Sequence, residues 1–280
     1  MQKSDFRGVF PAITTKMTED EEVDFDGVAD DVEFQIAAGV DGIIACGSLG
    51  EASTLVEDEK LGVARTAIEA SGGRTPVLLT IAEDSTRAAA RLAAEAERMG
   101  ADGLMVLPII IYNNPIAYGI DVSGAMLAEM ADEPRFVAVK ESTGDTRRIN
   151  ETLRAVGDRY QLLTGVDDLA LESLVLGCSG WIAGLVNAFP HETVAIYRLA
   201  AAGRIGEALE IYRWFLPLLH MDIGPRFVQN IKLVEHLVRG TSPVTRAPRL
   251  RLSLAEAARV RAVTEEALRN RPDLARYGVL

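Results

Sequence analysis

Short β-branched apolar runs recur along this chain, and most are followed by a longer stretch with apolar residues at three- and four-residue spacing. That alternation is the pattern of a parallel sheet with crossover helices, and it constrains the fold more than any other feature. The runs are Val9 to Thr14, Gly42 to Cys46, Val77 to Thr80, Gly103 to Leu107, Ile109 to Tyr112, Phe136 to Lys140, Gln161 to Thr164 and Gly180 to Ala183. Amphipathic stretches at Phe25 to Ala38, Glu57 to Ala70, Thr86 to Met99 and Val122 to Met130 follow several of them. Eight strands in 280 residues predict a closed (β/α)8 TIM barrel. No Gly-x-Gly-x-x-Gly follows the first strand, which weakens a dinucleotide-binding open sheet.

From Pro190 the pattern is helical throughout, over His191 to Ala201, Ile205 to Leu219, Pro225 to Val238 and Leu254 to Asn270. One of these helices completes the barrel, so residues 1–203 are expected to form it and 204–280 a C-terminal helical extension. One interval breaks the rule. Only Pro108 separates the fourth run from the fifth, whereas parallel neighbours need a crossover of about a dozen residues. Either the two runs are one strand and the barrel is a strand short, or the chain omits a strand–helix connection near Pro108. The second reading preserves the alternation, and it expects the Cα atoms between Leu107 and Ile110 to stand further apart than a trans peptide allows.

Composition excludes several partners. A net charge of −12 with a pI near 4.8 argues against nucleic acid. No apolar run reaches the roughly 18 residues of a membrane span, and Met1 to Asp5 carries no signal-peptide pattern. Cys46 and Cys178 have no metal-ligand spacing, and a reduced cytoplasmic protein is expected. His191, His220 and His236 are the only histidines, scattered and late, so neither a metal site nor a metal-dependent aldolase is expected. Gly165-Val166-Asp167-Asp168 is acidic where a phosphate-binding barrel would be glycine-rich; Asp167 and Asp168 read as caps of the following helix.

Active sites of such barrels lie at the C-terminal ends of the strands. The sixth strand ends in Lys140. A lysine kept from water is a nucleophile toward carbonyls, which imine formation requires; the bland alternative is a lysine snorkelling out of the barrel mouth. The fifth ends in Tyr112, a phenol able to shuttle protons or simply to cap a barrel layer. The second ends in Gly47-Ser48-Leu49-Gly50-Glu51, where glycines let backbone N–H groups converge on an anion and Ser48 adds a donor, although Gly-Ser turns are common.

Taken together, Gly47-Ser48-Leu49-Gly50-Glu51, Tyr112-Asn113-Asn114-Pro115, Val139-Lys140-Glu141-Ser142-Thr143-Gly144-Asp145 and Gly180-Trp181-Ile182-Ala183-Gly184 resemble the dihydrodipicolinate synthase/N-acetylneuraminate lyase family of class I aldolases. The likeness runs from Gly8 through Asn187. It implies that Lys140 forms an imine with pyruvate or a related 2-oxo acid and that Tyr112 relays protons above it. It implies that Ser48, with the amides of Ser48 and Leu49 in the Gly47 turn, holds the substrate carboxylate, and that Ile182 lines the pocket through its carbonyl. No metal or organic cofactor is implied. The assembly implied is a homo-oligomer, a dimer of dimers.

Two departures bear on the reaction. Leu49 stands where the family carries a second hydroxyl, so the usual hydroxyl–tyrosine relay is broken or rerouted. Ala117 stands where members that condense pyruvate with aspartate semialdehyde carry an arginine for the aldehyde's carboxylate. The expectation is therefore a lyase or aldolase acting through a lysine Schiff base, by cleavage, condensation, dehydration or deamination, and weak on that pair. Condensation of the pair, by a 4-hydroxy-tetrahydrodipicolinate synthase, is the alternative reading. A non-catalytic 2-oxo-acid-binding barrel is a second alternative, against which Lys140 and Tyr112 together argue.

Overall fold

The computed structural model describes residues 5–83, 85–106 and 110–279. Strands and helices alternate as β1 (Gly8–Pro11), α1 (Phe25–Ala37), β2 (Ile43–Ala45), α2 (Glu57–Ser71), β3 (Val77–Ile81), α3 (Thr86–Met99), β4 (Gly103–Val106), β5 (Ile110–Asn113), α4 (Pro115–Tyr118), α5 (Gly124–Glu129), β6 (Ala138–Glu141), α6 (Arg147–Val156), β7 (Gln161–Thr164), α7 (Ala170–Val175), β8 (Gly180–Ala183) and α8 (Pro190–Ala201). Three longer helices follow: α9 (Ile205–Leu219), α10 (Phe227–Arg239) and α11 (Leu254–Arg269). This is the α/β TIM barrel with C-terminal helices that the alternation predicts. None of the helices in the described residues is long and apolar enough to cross a membrane.

All described ladders are parallel. One arc runs β1-β8-β7-β6-β5 and the other β2-β3-β4. A parallel bridge between Ala12 and Ile44 joins the arcs on one side. β4 pairs with β3 and β5 with β6, and β4 and β5 pack beside each other, so the two runs flanking Pro108 are separate strands and the one-strand reading is set aside. The expected break in the chain falls on residues 107–109, outside the described residues.

Local chemistry sets the element ends. Ser85 accepts from the Ala88 amide to start α3, and Gly100, at φ 88°, closes it in a left-handed turn that favours glycine. The predicted first strand stops short of Thr14, because beyond Pro11 the backbone turns its hydrogen bonds to Ile44 and Asn187. The helix expected from Val122 begins instead at Gly124. Asn113 accepts from the Val122 amide, and Ser123 caps the helix through Met126. The apolar core is continuous from the barrel into the C-terminal helices, where Trp214 and Phe215 pack edge-on against Phe189.

Candidate active site

Parallel pairing of β5 with β6 sets Tyr112 directly opposite Lys140. The Lys140 side chain is only 8% exposed, and its Nζ lies 4.3 Å from the Tyr112 ring centroid, a cation–π distance. Gly165, just after β7, makes this placement possible. A Cβ there would sit 2.4 Å from Lys140 Cε and 2.2 Å from Ser142 Oγ. The next pair in the register, Asn113 and Glu141, is locked by a side-chain hydrogen bond of 3.0 Å. Asn114 Nδ2 donates to the Tyr112 hydroxyl at 2.9 Å, while its Oδ1 caps α4 through the Ala117 amide. The phenol therefore accepts from Asn114 and keeps its own proton for another acceptor.

The turn after β2 is tight. Cys46 and Glu51 both take left-handed backbone, at φ 55° and 59°. Gly50 is fixed by close approach: a Cβ would stand 3.0 Å from the Ile13 carbonyl oxygen and 3.2 Å from the Cys46 and Gly47 nitrogens. Leu49 belongs to the core, whereas the Ser48 hydroxyl is 2.6 Å from that of Tyr118. Tyr118 also packs edge-on against Tyr112, with centroids 5.6 Å apart. Glu51 is fully buried; Lys232 of α10 donates to its Oε1 at 2.7 Å and the Arg246 amide to its Oε2 at 3.1 Å.

Above Tyr112 lies a cavity of about 340 Å³ lined by Ser48, Thr80, Met105, Ala117, Tyr118 and Arg249, among others. Its walls carry hydroxyls and apolar groups, with Arg249 the one charged side chain among the described lining residues. Among the described residues Thr80 Oγ1 is buried with no hydrogen-bond partner, as is Ser142 Oγ beside Lys140. Among the expected residues, Ser48 and Tyr112 line this cavity. Lys140 sits behind Tyr112, Gly47 and Leu49 belong to the turn, and Ile182 is buried in β8 opposite Phe10.

The expected helix-capping role of Asp167 and Asp168 is corrected. Residues Asp167–Leu169 form a 3-10 turn without a side-chain cap, and none starts α7. Asp167 instead accepts from Trp181 Nε1 at 2.9 Å and from the Gly184 and Leu185 amides, tying the end of β7 to that of β8. Asp222 approaches the same place, since a Cβ on Gly184 would lie 3.0 Å from its Oδ1. Burial pushes both carboxyls up. The charge of Asp167 pushes Asp222 further, while the donors around Asp167 and the Lys140 ammonium oppose the rise.

No group of three or more histidine, cysteine or carboxylate side chains that could hold a metal occurs among the described residues. The arrangement places a hydrogen-bonded phenol and a hydroxyl-bearing turn on one cavity, with a buried amine against the phenol ring. The dihydrodipicolinate synthetase family model matches residues 5–107 and 105–267. The chain belongs to this family. Its synthase-named relatives include the 4-hydroxy-tetrahydrodipicolinate synthases of Methanospirillum hungatei and Methanoculleus marisnigri. The first is 31% identical over 76% of this chain and 82% of that relative, the second 30% identical over 92% and 98%. The chloride-inhibited dihydrodipicolinate synthase of Acinetobacter baumannii, solved with pyruvate, superposes with a TM-score of 0.89 at 26% identity over 93% of this chain and 98% of that one. As a member of the dihydrodipicolinate synthetase family, the chain is an enzyme of the lyase class.

The family-level resemblance singles out Lys140 and Tyr112, but not Asn114, Tyr118, Gly165 or Arg249. Asn114 lies within the Tyr112-Asn113-Asn114-Pro115 motif and Tyr118 three residues after it, so hydrogen-bonding side chains near Tyr112 are the signal that points to them. Gly165 and Arg249 carried no local signal.

Proposed function

We propose that this enzyme activates pyruvate, or a closely related 2-oxo acid, as an imine on Lys140. The observation that carries the reading is the buried amine lying over the Tyr112 ring, which itself lines a cavity shared with the hydroxyl-bearing turn at Ser48. In this reading Lys140 attacks the 2-oxo carbon, and the carbinolamine loses water with a proton from Tyr112, which Asn114 orients. Ser48 and the amides of the Gly47–Leu49 turn hold the carboxylate, and the Ile182 carbonyl faces the imine side. The resulting enamine is the nucleophile for condensation or the product of cleavage.

The names of the relatives favour condensation, with aspartate semialdehyde as the partner. Leu49 and Ala117 favour a different partner or the eliminating direction. Assaying the enzyme with pyruvate and aspartate semialdehyde, beside a screen for pyruvate or ammonia released from other 2-oxo acids, separates the two. Condensation at the rate of the best screened reaction supports the synthase. A Lys140→Ala variant that turns over any of these substrates at the normal rate contradicts the imine.

The family model matches in two stretches that meet at residues 105–107. The alignment with the Methanoculleus relative runs over 286 positions although this chain has 280 residues. Both support the proposal that the crossover between β4 and β5 is missing from this chain. The same proposal treats residues 1–203 as the barrel and 204–280 as its helical extension. A homo-oligomer, as a dimer of dimers, and a cytoplasmic location complete it.

A further inference from the structure

Two arginines stand three residues apart in the segment between α10 and α11, and their surroundings differ. Arg246 is saturated: it donates to the Glu21 and Thr54 carbonyls and to the Glu59 carboxylate. Arg249 has its nearest described side-chain partner at 3.7 Å, the Oε2 of Glu51, beyond hydrogen-bond reach. That carboxylate is already held by Lys232 and the Arg246 amide. The Arg249 side chain is 20% exposed and lines the cavity above Tyr112.

A guanidinium presents a planar fork of five N–H donors and stays charged at every working pH. On the wall of a cavity, with no side-chain acceptor within hydrogen-bond reach among the described residues, it matches a carboxylate, which it holds bidentately. Two further features point the same way. The chain is strongly acidic overall, so Arg249, the one charged side chain among the described residues lining the cavity, marks a local preference for an anion. Thr80, whose buried Oγ1 has no hydrogen-bond partner among the described residues, lines the same cavity.

We infer that Arg249 binds a second carboxylate, at the end of the substrate remote from the imine. The enzyme then takes a 2-oxo acid with a distal acidic group, or joins pyruvate to an aldehyde that bears one. The cation comes from the C-terminal segment and compensates in charge for Ala117 on the same cavity. This assignment rests on the Schiff-base reading for the position of the 2-oxo end.

The test compares borohydride trapping of 2-oxoglutarate and 2-oxoadipate with that of 2-oxopentanoate and 2-oxohexanoate, at limiting concentration. A hydrogen-bonded ion pair at Arg249 is expected to favour the dicarboxylates by about 10- to 100-fold in the wild type. Arg249→Gln should erase that preference with labelling by the monocarboxylates unchanged, and Arg249→Lys should keep part of it. Equal labelling in the wild type, or a preference that survives in R249Q, overturns the assignment. If no acid labels the wild type, pyruvate included, the imine reading fails instead. Calorimetric titration with glutarate then decides the arginine on its own: binding about tenfold weaker in R249Q supports it, and equal binding overturns it.

Discussion

At the seam between barrel and C-terminal helices, charges are buried and paired. Lys16 lies 3.1 Å from Asp31 and 2.8 Å from Glu235, Arg239 pairs with Asp31, and Lys232 holds Glu51 at 2.7 Å. At the barrel mouth, a few ångströms from Glu51, polar groups are left under-partnered. Among the described residues, Thr80 and Ser142 have buried hydroxyls with no hydrogen-bond partner, and Arg249 has no carboxylate within hydrogen-bond reach. The difference separates two uses of polarity. A buried charge that holds the fold must find its partner within the chain, because an uncompensated one is costly. A group that receives a ligand must keep capacity in reserve. Glu51 marks the border, since one turn carries both a structural anchor and, at Ser48, a hydroxyl facing the cavity.

The contrast predicts that substitutions at the seam act on stability and those at the mouth on turnover. Lys232→Ala strands the Glu51 carboxylate in the core, and urea unfolding should show a loss of about 3–5 kcal/mol. A loss below 1 kcal/mol would mean that the seam is not built as described. Tyr112→Phe should leave the unfolding midpoint nearly unchanged while turnover falls by about 10²- to 10³-fold, the usual worth of a positioned proton donor. Unchanged turnover would reduce Tyr112 to a packing residue.

How much of this could be read from the chain alone divides along the same line. The barrel was legible because eight apolar runs alternate with amphipathic stretches, and strand ends are where such barrels place their chemistry; Lys140 and Tyr112 follow from that. Ser48 was legible from its turn, but its partner Tyr118 is 70 residues away. Arg249 was invisible because it enters the cavity from a segment that carries no motif. Asp167 was misread as a cap because an acidic residue before a helix has the same local pattern whether it binds that helix or a neighbouring strand. The role of Gly165 depends on the path of the Lys140 stem, which only the assembled sheet defines.

Two smaller effects sharpen the comparison. Tyr118→Phe removes the partner of Ser48, and turnover should drop about tenfold with little change in stability; no change would show that the hydroxyl pair is incidental. Asp222→Asn tests a charge between the two regions. Its native pKa is raised above the unfolded value of about 4, so the proton it binds stabilises the fold fully below that pH, and the contribution is lost as pH rises through the native value. The Asn variant should therefore melt a few degrees higher than wild type near pH 8 and about equally near pH 4. A lower melting temperature at pH 8 would mean that the Asp222 carboxylate is stabilising.

The central claim is that Lys140 is the amine that carries the substrate. Incubation with pyruvate and borohydride, followed by peptide mapping, should place one irreversible pyruvyl label on Lys140, and Lys140→Ala should take up none. A label on any other lysine, or no label on the wild-type enzyme, would contradict the account.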